Sequence, residues 1–386
     1  MPQPTGSLPP QTALVLQGGG ALGAYQAGVY EALAGTALQP DWVAGISIGA
    51  INAALIAGNP AERRVERLRA FWDTVSGELQ YRLAMPQGFA RRAFNEASAL
   101  FAANAGVPGF FTPRFPPLPL EWPAELGQLG FYDTAPLRAT LLELVDFDLL
   151  NTGPMRFSVG AVNVLNGNFA YFDNRRDTIG PEHIMASGAL PPGFAPVKIG
   201  EDWFWDGGLV SNTPLQYVLD KRQPCELTVF QVDLFSSRGV VPRTMADVLQ
   251  REKDIRYSSR TRLNTDLSKK LQGLRTAARR LAKRLPPELC DDPDLQLLLN
   301  HDPEGSVAIM HLINRCTHYE SNSKDYEFSR QTIEEHWADG HEDAAFSLAH
   351  PEWIGRHQGS DGIATYDLAG DRPRRTGATG PSLESC

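Results

Sequence analysis

Cysteine is scarce in this sequence, with four in 386 residues, and Cys225, Cys290, Cys316 and Cys386 lie too far apart for any Cys-x-x-Cys element. That excludes a disulfide-stapled small domain and a cysteine zinc site, and makes a reducing, cytoplasmic compartment the simpler expectation. Charge is sparse as well, at 21% of residues with a net of −9, and no basic run interleaved with aromatics occurs. Nucleic acid is therefore not an expected partner. The eight histidines form no i, i+4 pair, so no metal site is expected, and no cofactor is called for. Long apolar runs are missing too. The uncharged stretch before Glu31 lacks a basic n-region and contains Gly18, Gly19 and Gly20, while Trp42 to Ala61 is interrupted by Gly45, Ser47, Gly49, Asn52, Gly58 and Asn59. Neither reads as a membrane span or a signal peptide.

What is present suffices for a folded protein: 42% hydrophobic residues over this length can bury one large core or two smaller ones. After a polar leader (1–11), Thr12 to Gln17 reads as a buried strand, a glycine turn follows, and Ala24 to Ala34 reads as a helix. The pattern repeats with a strand at Trp42 to Ile46, a tight turn and a small-residue helix over Ala50 to Ala57. Two strand-turn-helix units in sixty residues predict a parallel α/β sheet. Further strand signals lie at Arg156 to Val164 and Phe169 to Phe172, a hairpin across Asn166-Gly167, and at Leu227 to Leu234. The sheet domain is thus expected over 12–235, with a Pro/Phe-rich insertion near 85–130 whose six prolines between Val107 and Pro123 disfavour regular structure and suggest a lid. A helical extension (236–357) and a disordered polar tail (358–386) should follow.

Three glycine-rich turns could carry chemistry. Gly45-Ile46-Ser47-Ile48-Gly49 sits where a strand meets a helix, and flanking glycines permit the sharp turn that exposes a serine Oγ at a helix N-terminus. The bland alternative is a helix N-cap serine. Gly18-Gly19-Gly20-Ala21-Leu22-Gly23 admits two functional readings. One is a dinucleotide cradle with Asp41 as ribose partner, although in that fold the acid closes the second strand and Asp41 precedes it. In the other, Gly18 to Gly20 supply backbone N–H groups to an oxyanion beside Ser47, with the Ile48 N–H completing the hole. A plain packing turn would need the same glycines. Asp206-Gly207-Gly208 could be a simple hairpin turn. Alternatively Asp206 is the base that accepts the Ser47 proton without a histidine, in which case it should be at least partly buried.

In content and order, Gln17-Gly-Gly-Gly-Ala-Leu-Gly23, Gly45-Ile-Ser-Ile-Gly49, Ala186-Ser-Gly-Ala-Leu-Pro-Pro-Gly-Phe-Ala-Pro196 and Asp206-Gly-Gly208 resemble the patatin-like phospholipases. The resemblance spans about residues 12 to 235 and implies a three-layer α/β/α lipid acyl hydrolase of phospholipase A, lysophospholipase or esterase type. It implies Ser47 as nucleophile, Asp206 as proton acceptor, Gly18, Gly19, Gly20 and Ile48 at the oxyanion hole, and Gly23, Gly45, Gly49, Gly207 and Gly208 as motif glycines. One departure is Leu22, where the family often has Arg or Lys. The rest resembles the extension on some bacterial patatin-like proteins.

Rival readings remain at this stage. A Ser-Asp-His triad could use Ser47, Asp206 and one of His301, His311 or His318, although its nucleophile normally follows more than two strands. His183, the one histidine before residue 300, fits neither order and reads as a helix-surface residue. A leucine-striped helix is expected across 243–285, where thirteen Lys plus Arg meet four acids. It either packs on the catalytic domain with its cations solvated or paired, or lies on anionic membrane as a peripheral contact. A non-catalytic lipid-binding module with a vestigial dyad is the alternative from another functional class.

Overall fold

The computed structural model describes residues 9–76, 89–117, 119–258, 305–315, 323–356 and 362–372, with scattered positions between 273 and 295. The chain opens as read: β1 (Gln11–Leu16), α1 (Ala24–Ala34), β2 (Trp42–Gly45) and α2 (Ile48–Ala57). Then come α3 (Arg64–Val75), α4 (Phe89–Ala105), a two-stranded ribbon of β3 (Thr112–Pro113) and β4 (Tyr132–Asp133), α5 (Ala135–Leu144) and α6 (Phe147–Thr152). The second half carries β5 (Arg156–Asn163), β6 (Phe169–Asp173), α7 (Pro181–Ser187), β7 (Val197–Ile199), β8 (Asp202–Asp206), α8 (Leu215–Lys221), β9 (Leu227–Asp233) and α9 (Met245–Tyr257). Last are β10 (Val307–Ile313), α10 (Arg330–Ala349), α11 (Pro351–Ile354) and β11 (Ile363–Tyr366).

The main sheet runs β11-β10-β9-β1-β2-β5-β8-β7, with β6 also on β5. Its six strands from β11 to β5 are parallel, whereas β6 and β8 pair antiparallel with β5. Period-two alternation sorts β1 between two helical layers. Leu14 and Leu16 point into the core shared with α1 and α2, and Ala13 and Val15 into the one shared with α8. The result is the three-layer α/β/α fold.

Several expected boundaries are corrected. The sheet does not end near Phe235, because β10 aligns with β9 in parallel register (Val307↔Leu227) and β11 extends it. β10 is a short apolar run that takes up the β9 edge, and β11 in turn pairs with the outer edge of β10. The tail expected to be disordered from 358 thus contributes a strand, and Arg372 pairs with Asp339, Glu342 and the buried Asp343. Within the insertion near 85–130, α4 occupies 89–105 ahead of the proline-rich stretch, in which Thr112–Pro113 is the one strand among the described residues. The helix expected over 243–285 ends at Ser258, whose ψ of 142° is extended. Of the expected leucine stripe, Leu263, Leu267 and Leu271 lie outside the described residues, whereas Leu274, Leu281 and Leu285 are described and exposed instead of packed on the catalytic domain.

The extension is fastened to the catalytic layers where α10 crosses α1. Side chains at Gly28 and Gly340 would collide with the Trp337 and Tyr25 carbonyls, so two glycines permit near backbone contact. Around them the Tyr25 hydroxyl donates to Asp343 (2.8 Å), and Trp337 Nε1 donates to Glu31 (2.6 Å).

Candidate active site

Strand register brings three turns level. Leu16 of β1 faces Gly45 of β2, Gly45 faces Val159 of β5, and Ala161 of β5 faces Asp206, the last residue of β8. Two residues past Leu16 and Gly45 lie Gly18 and Ser47, on the same line as Ala161 and Asp206.

Ser47 has φ 54° and ψ −124°, the one positive φ among described non-glycine residues. A β-carbon at Gly45 or Gly49 would overlap the Gly49 or Leu16 carbonyl, so only glycines allow this elbow. The Ser47 N–H donates to Ser187 Oγ (3.0 Å), which donates to the Gly160 carbonyl (2.7 Å), anchoring the elbow to β5. Backbone strain at a turn over-determined in this way is characteristic of functional positions.

Asp206 is 3% exposed. Burial pushes its carboxyl up to about 7, against the opposing effect of hydrogen bonds from the Gly208 N–H and the Ser47 side chain. The Gly208 bond measures 2.7 Å. No lysine, arginine or histidine lines the surrounding cavity among the described residues, so no cation offsets the desolvation.

The glycine loop divides its N–H groups. That of Gly18 donates to the Asn212 carbonyl (3.2 Å) and is not available to an oxyanion. Those of Gly19, Gly20 and Ile48 meet no acceptor among the described residues and lie on the cavity with Ser47. Behind the loop, the fully buried Gln17 amide oxygen accepts from the N–H groups of Leu234 (2.6 Å) and Phe235 (2.9 Å). Leu22 is fully buried in the core, where a lysine or arginine would need a partner. Asp41 caps the β1 start by accepting from the Thr12 N–H (3.0 Å), and the ribose role has no support.

The cavity, about 490 Å³, is walled by α4, by Phe110, Phe111 and Phe194, and by the extension through Tyr257, Asp325, Tyr326 and Phe328. The extension's part was not legible in sequence. Nor was Ser187, although it stands inside the 186–196 motif, nor Asn212, four residues past Asp206-Gly-Gly208. Asn212 Nδ2 donates to the carbonyls of Gly18 (3.0 Å) and Tyr257 (2.9 Å), joining the loop to α9. His183 is buried, not on a helix surface, because its ring packs on Phe172 and its Nδ1 accepts from the Gly180 N–H (3.0 Å). Of the triad candidates, His311 lies within β10 away from the cavity lining, and His301 and His318 fall outside the described residues.

A model of the patatin-like phospholipases matches residues 14–219, more than half of the chain. The chain belongs to the patatin-like phospholipase family. A second model, described as patatin phospholipase, matches residues 255–360, so the extension of this patatin-like protein is part of a family pattern. No curated protein matches. Among solved structures, VipD from Legionella pneumophila is similar, with a TM-score of 0.34 and 15% identity over 86% of this chain and 68% of that one. Family membership supports lipid acyl hydrolysis in general. No helix among the described residues is long and apolar enough to cross a membrane.

Proposed function

We propose that this protein hydrolyses lipid acyl esters through a Ser47–Asp206 dyad. The observation that carries the reading is a strained serine, hydrogen-bonded to a buried carboxylate, lining an apolar cavity. Asp206 takes the proton as Ser47 Oγ bonds to the acyl carbon, and the carbonyl π pair moves onto oxygen. The N–H groups of Gly19, Gly20 and Ile48 receive that oxyanion, helped by the N-terminus of α2. Collapse expels the alcohol, which leaves with the proton from Asp206, and water then releases the acyl group by the same steps. A carboxyl poised near 7 is a stronger base than an ordinary aspartate and still ionises at neutral pH.

The apolar walls suit an acyl chain. With no basic lining residue described, an anionic head group gains no charge partner inside. The test is release of p-nitrophenol from short and medium acyl esters, with fluorophosphonate labelling mapped by peptide mass. Ser47→Ala should abolish labelling, and Asp206→Asn should lower turnover by about a thousandfold or more. Turnover by Ser47→Ala equal to wild type would sink the reading.

A further inference from the structure

The 18 residues between β3 and β4 present large apolar side chains to solvent instead of burying them. Phe115 is 94% exposed, Leu120 90% and Trp122 70%, far beyond what scattered surface apolar residues require. The loop is tethered rather than frayed. The β3–β4 ribbon closes its base in register Thr112↔Asp133, the Arg114 N–H donates to the Phe131 carbonyl (3.0 Å), and a turn joins the Trp122 N–H to the Pro119 carbonyl (3.1 Å). Pro116, Pro117, Pro119 and Pro123 stiffen it further, so little conformational freedom is lost on docking.

The base of this loop is the rim of the active-site cavity. Phe131 and, across from it on α4, Leu100 both line that cavity and are 52% and 66% exposed. The apolar surface is therefore continuous from the loop into the pocket. An occupant that covered this rim as a folded protein would close the entrance, whereas a lipid layer both covers it and supplies what enters. Charge agrees: the loop holds Arg114, Glu121 and Glu125, too few to seek an anionic surface. The cations of α9 are engaged within the protein, Lys253 with Asp325, Arg256 with Glu252, and Arg251 with the carbonyls of Ser236 and Ser237.

We propose that loop 114–131 is an interfacial anchor that inserts Phe115, Leu120 and Trp122 into a lipid layer and sets the cavity entrance against it. Aromatic and aliphatic side chains at a rigid tip suit the headgroup–acyl boundary. This rests on the lipid-hydrolase reading for its purpose, but binding can be measured without turnover. The experiment is sedimentation of the full chain carrying Ser47→Ala with phosphatidylcholine vesicles, and with vesicles containing phosphatidylserine, at low and high salt. Binding to both, little changed by salt, is expected, and Phe115→Ser/Leu120→Ser/Trp122→Ser should weaken it roughly tenfold or more. In the Ser47 background, the same three substitutions should leave hydrolysis of soluble p-nitrophenyl butyrate unchanged while hydrolysis of vesicle lipid falls in step with binding. Single substitutions grade the effect should the triple variant fold poorly.

Equal binding by wild type and loop variants overturns the proposal. So does binding that needs anionic lipid and disappears in salt, which would move the contact to the basic 243–285 segment. A concentration-dependent dimer lost in the loop variants would also overturn it. Vesicle binding without any ester hydrolysis would sink the function and spare the anchor, and hydrolysis without vesicle binding would do the reverse.

Discussion

The backbone carbonyl of Asp325 lies so close to Gly20 that a β-carbon at position 20 would overlap it. Gly20 also holds φ +56°, a conformation costing other residues about 1–2 kcal/mol. The glycine loop and the extension are thus packed backbone to backbone. Gly20→Ala should lower kcat/KM on p-nitrophenyl esters by about a hundredfold or more while the protein stays folded by circular dichroism. Near-normal activity would mean that residues 323–328 yield without disturbing the loop.

With its raised carboxyl, Asp206 should make activity and stability respond oppositely to pH. Only the ionised carboxylate accepts a proton, so turnover should rise with pH and reach half its plateau near 7. Stability runs the other way. The folded-state carboxyl is raised above its ordinary 3.8, so this group's contribution is full below about pH 4 and lost as pH climbs through 7. Asp206→Asn should therefore match wild-type stability most nearly in acid and exceed it above pH 7, by up to ~4 kcal/mol. Urea titrations at pH 5 and pH 8 give the comparison. A stability gap unchanged between the two would contradict the buried, uncompensated charge.

Asn212 bridges the Gly18 and Tyr257 carbonyls and takes no part in bond making. Asn212→Ala leaves both without that donor, a cost of roughly 1–3 kcal/mol, and frees the glycine loop from α9. The expected signature is kcat lowered about ten- to a hundredfold with KM nearly unchanged, and a parallel fall in fluorophosphonate labelling rate. A change in KM alone would assign Asn212 to substrate contact instead.

The α1–α10 crossing has no room for side chains at Gly28 or Gly340. Gly28→Val should push the helices apart and lower the unfolding temperature by several degrees, with loss of soluble yield. Deleting 305–372 should be worse still, since it strips β10 from β9 and uncovers the α1 face. Thermal scans and expression trials of both variants provide the check.

Local turn chemistry is what the sequence made readable. The Gly-x-Ser-x-Gly and Asp-Gly-Gly patterns each fall within five consecutive residues, so the elbow and the carboxylate turn could be located before any contact was known, although Gly49 and Gly207 are held to glycine by the distant Leu16 and Gly160 carbonyls. Long-range partners left no such mark. Val307–Ile313 is an apolar run between Gly305 and Asn314, a strand signal by composition, yet its neighbour β9 ends more than seventy residues earlier. Asn212 and Ser187 look like ordinary polar loop and helix-end residues, and their use depends on carbonyls 194 and 27 residues away. The apparent surface position of His183 failed for a similar reason: Phe172, from another element, covers it.

The order in which the chain is synthesised gives the cavity wall a further meaning. Ser47 and Asp206 leave the ribosome well before Tyr326 and Phe328, and β10 arrives about a hundred residues after Asp206. A growing chain therefore carries both reactive turns long before it has an enclosed place for an acyl chain. Completion of the pocket is a late event of biosynthesis, tied to translation of the segment that also secures the sheet edge.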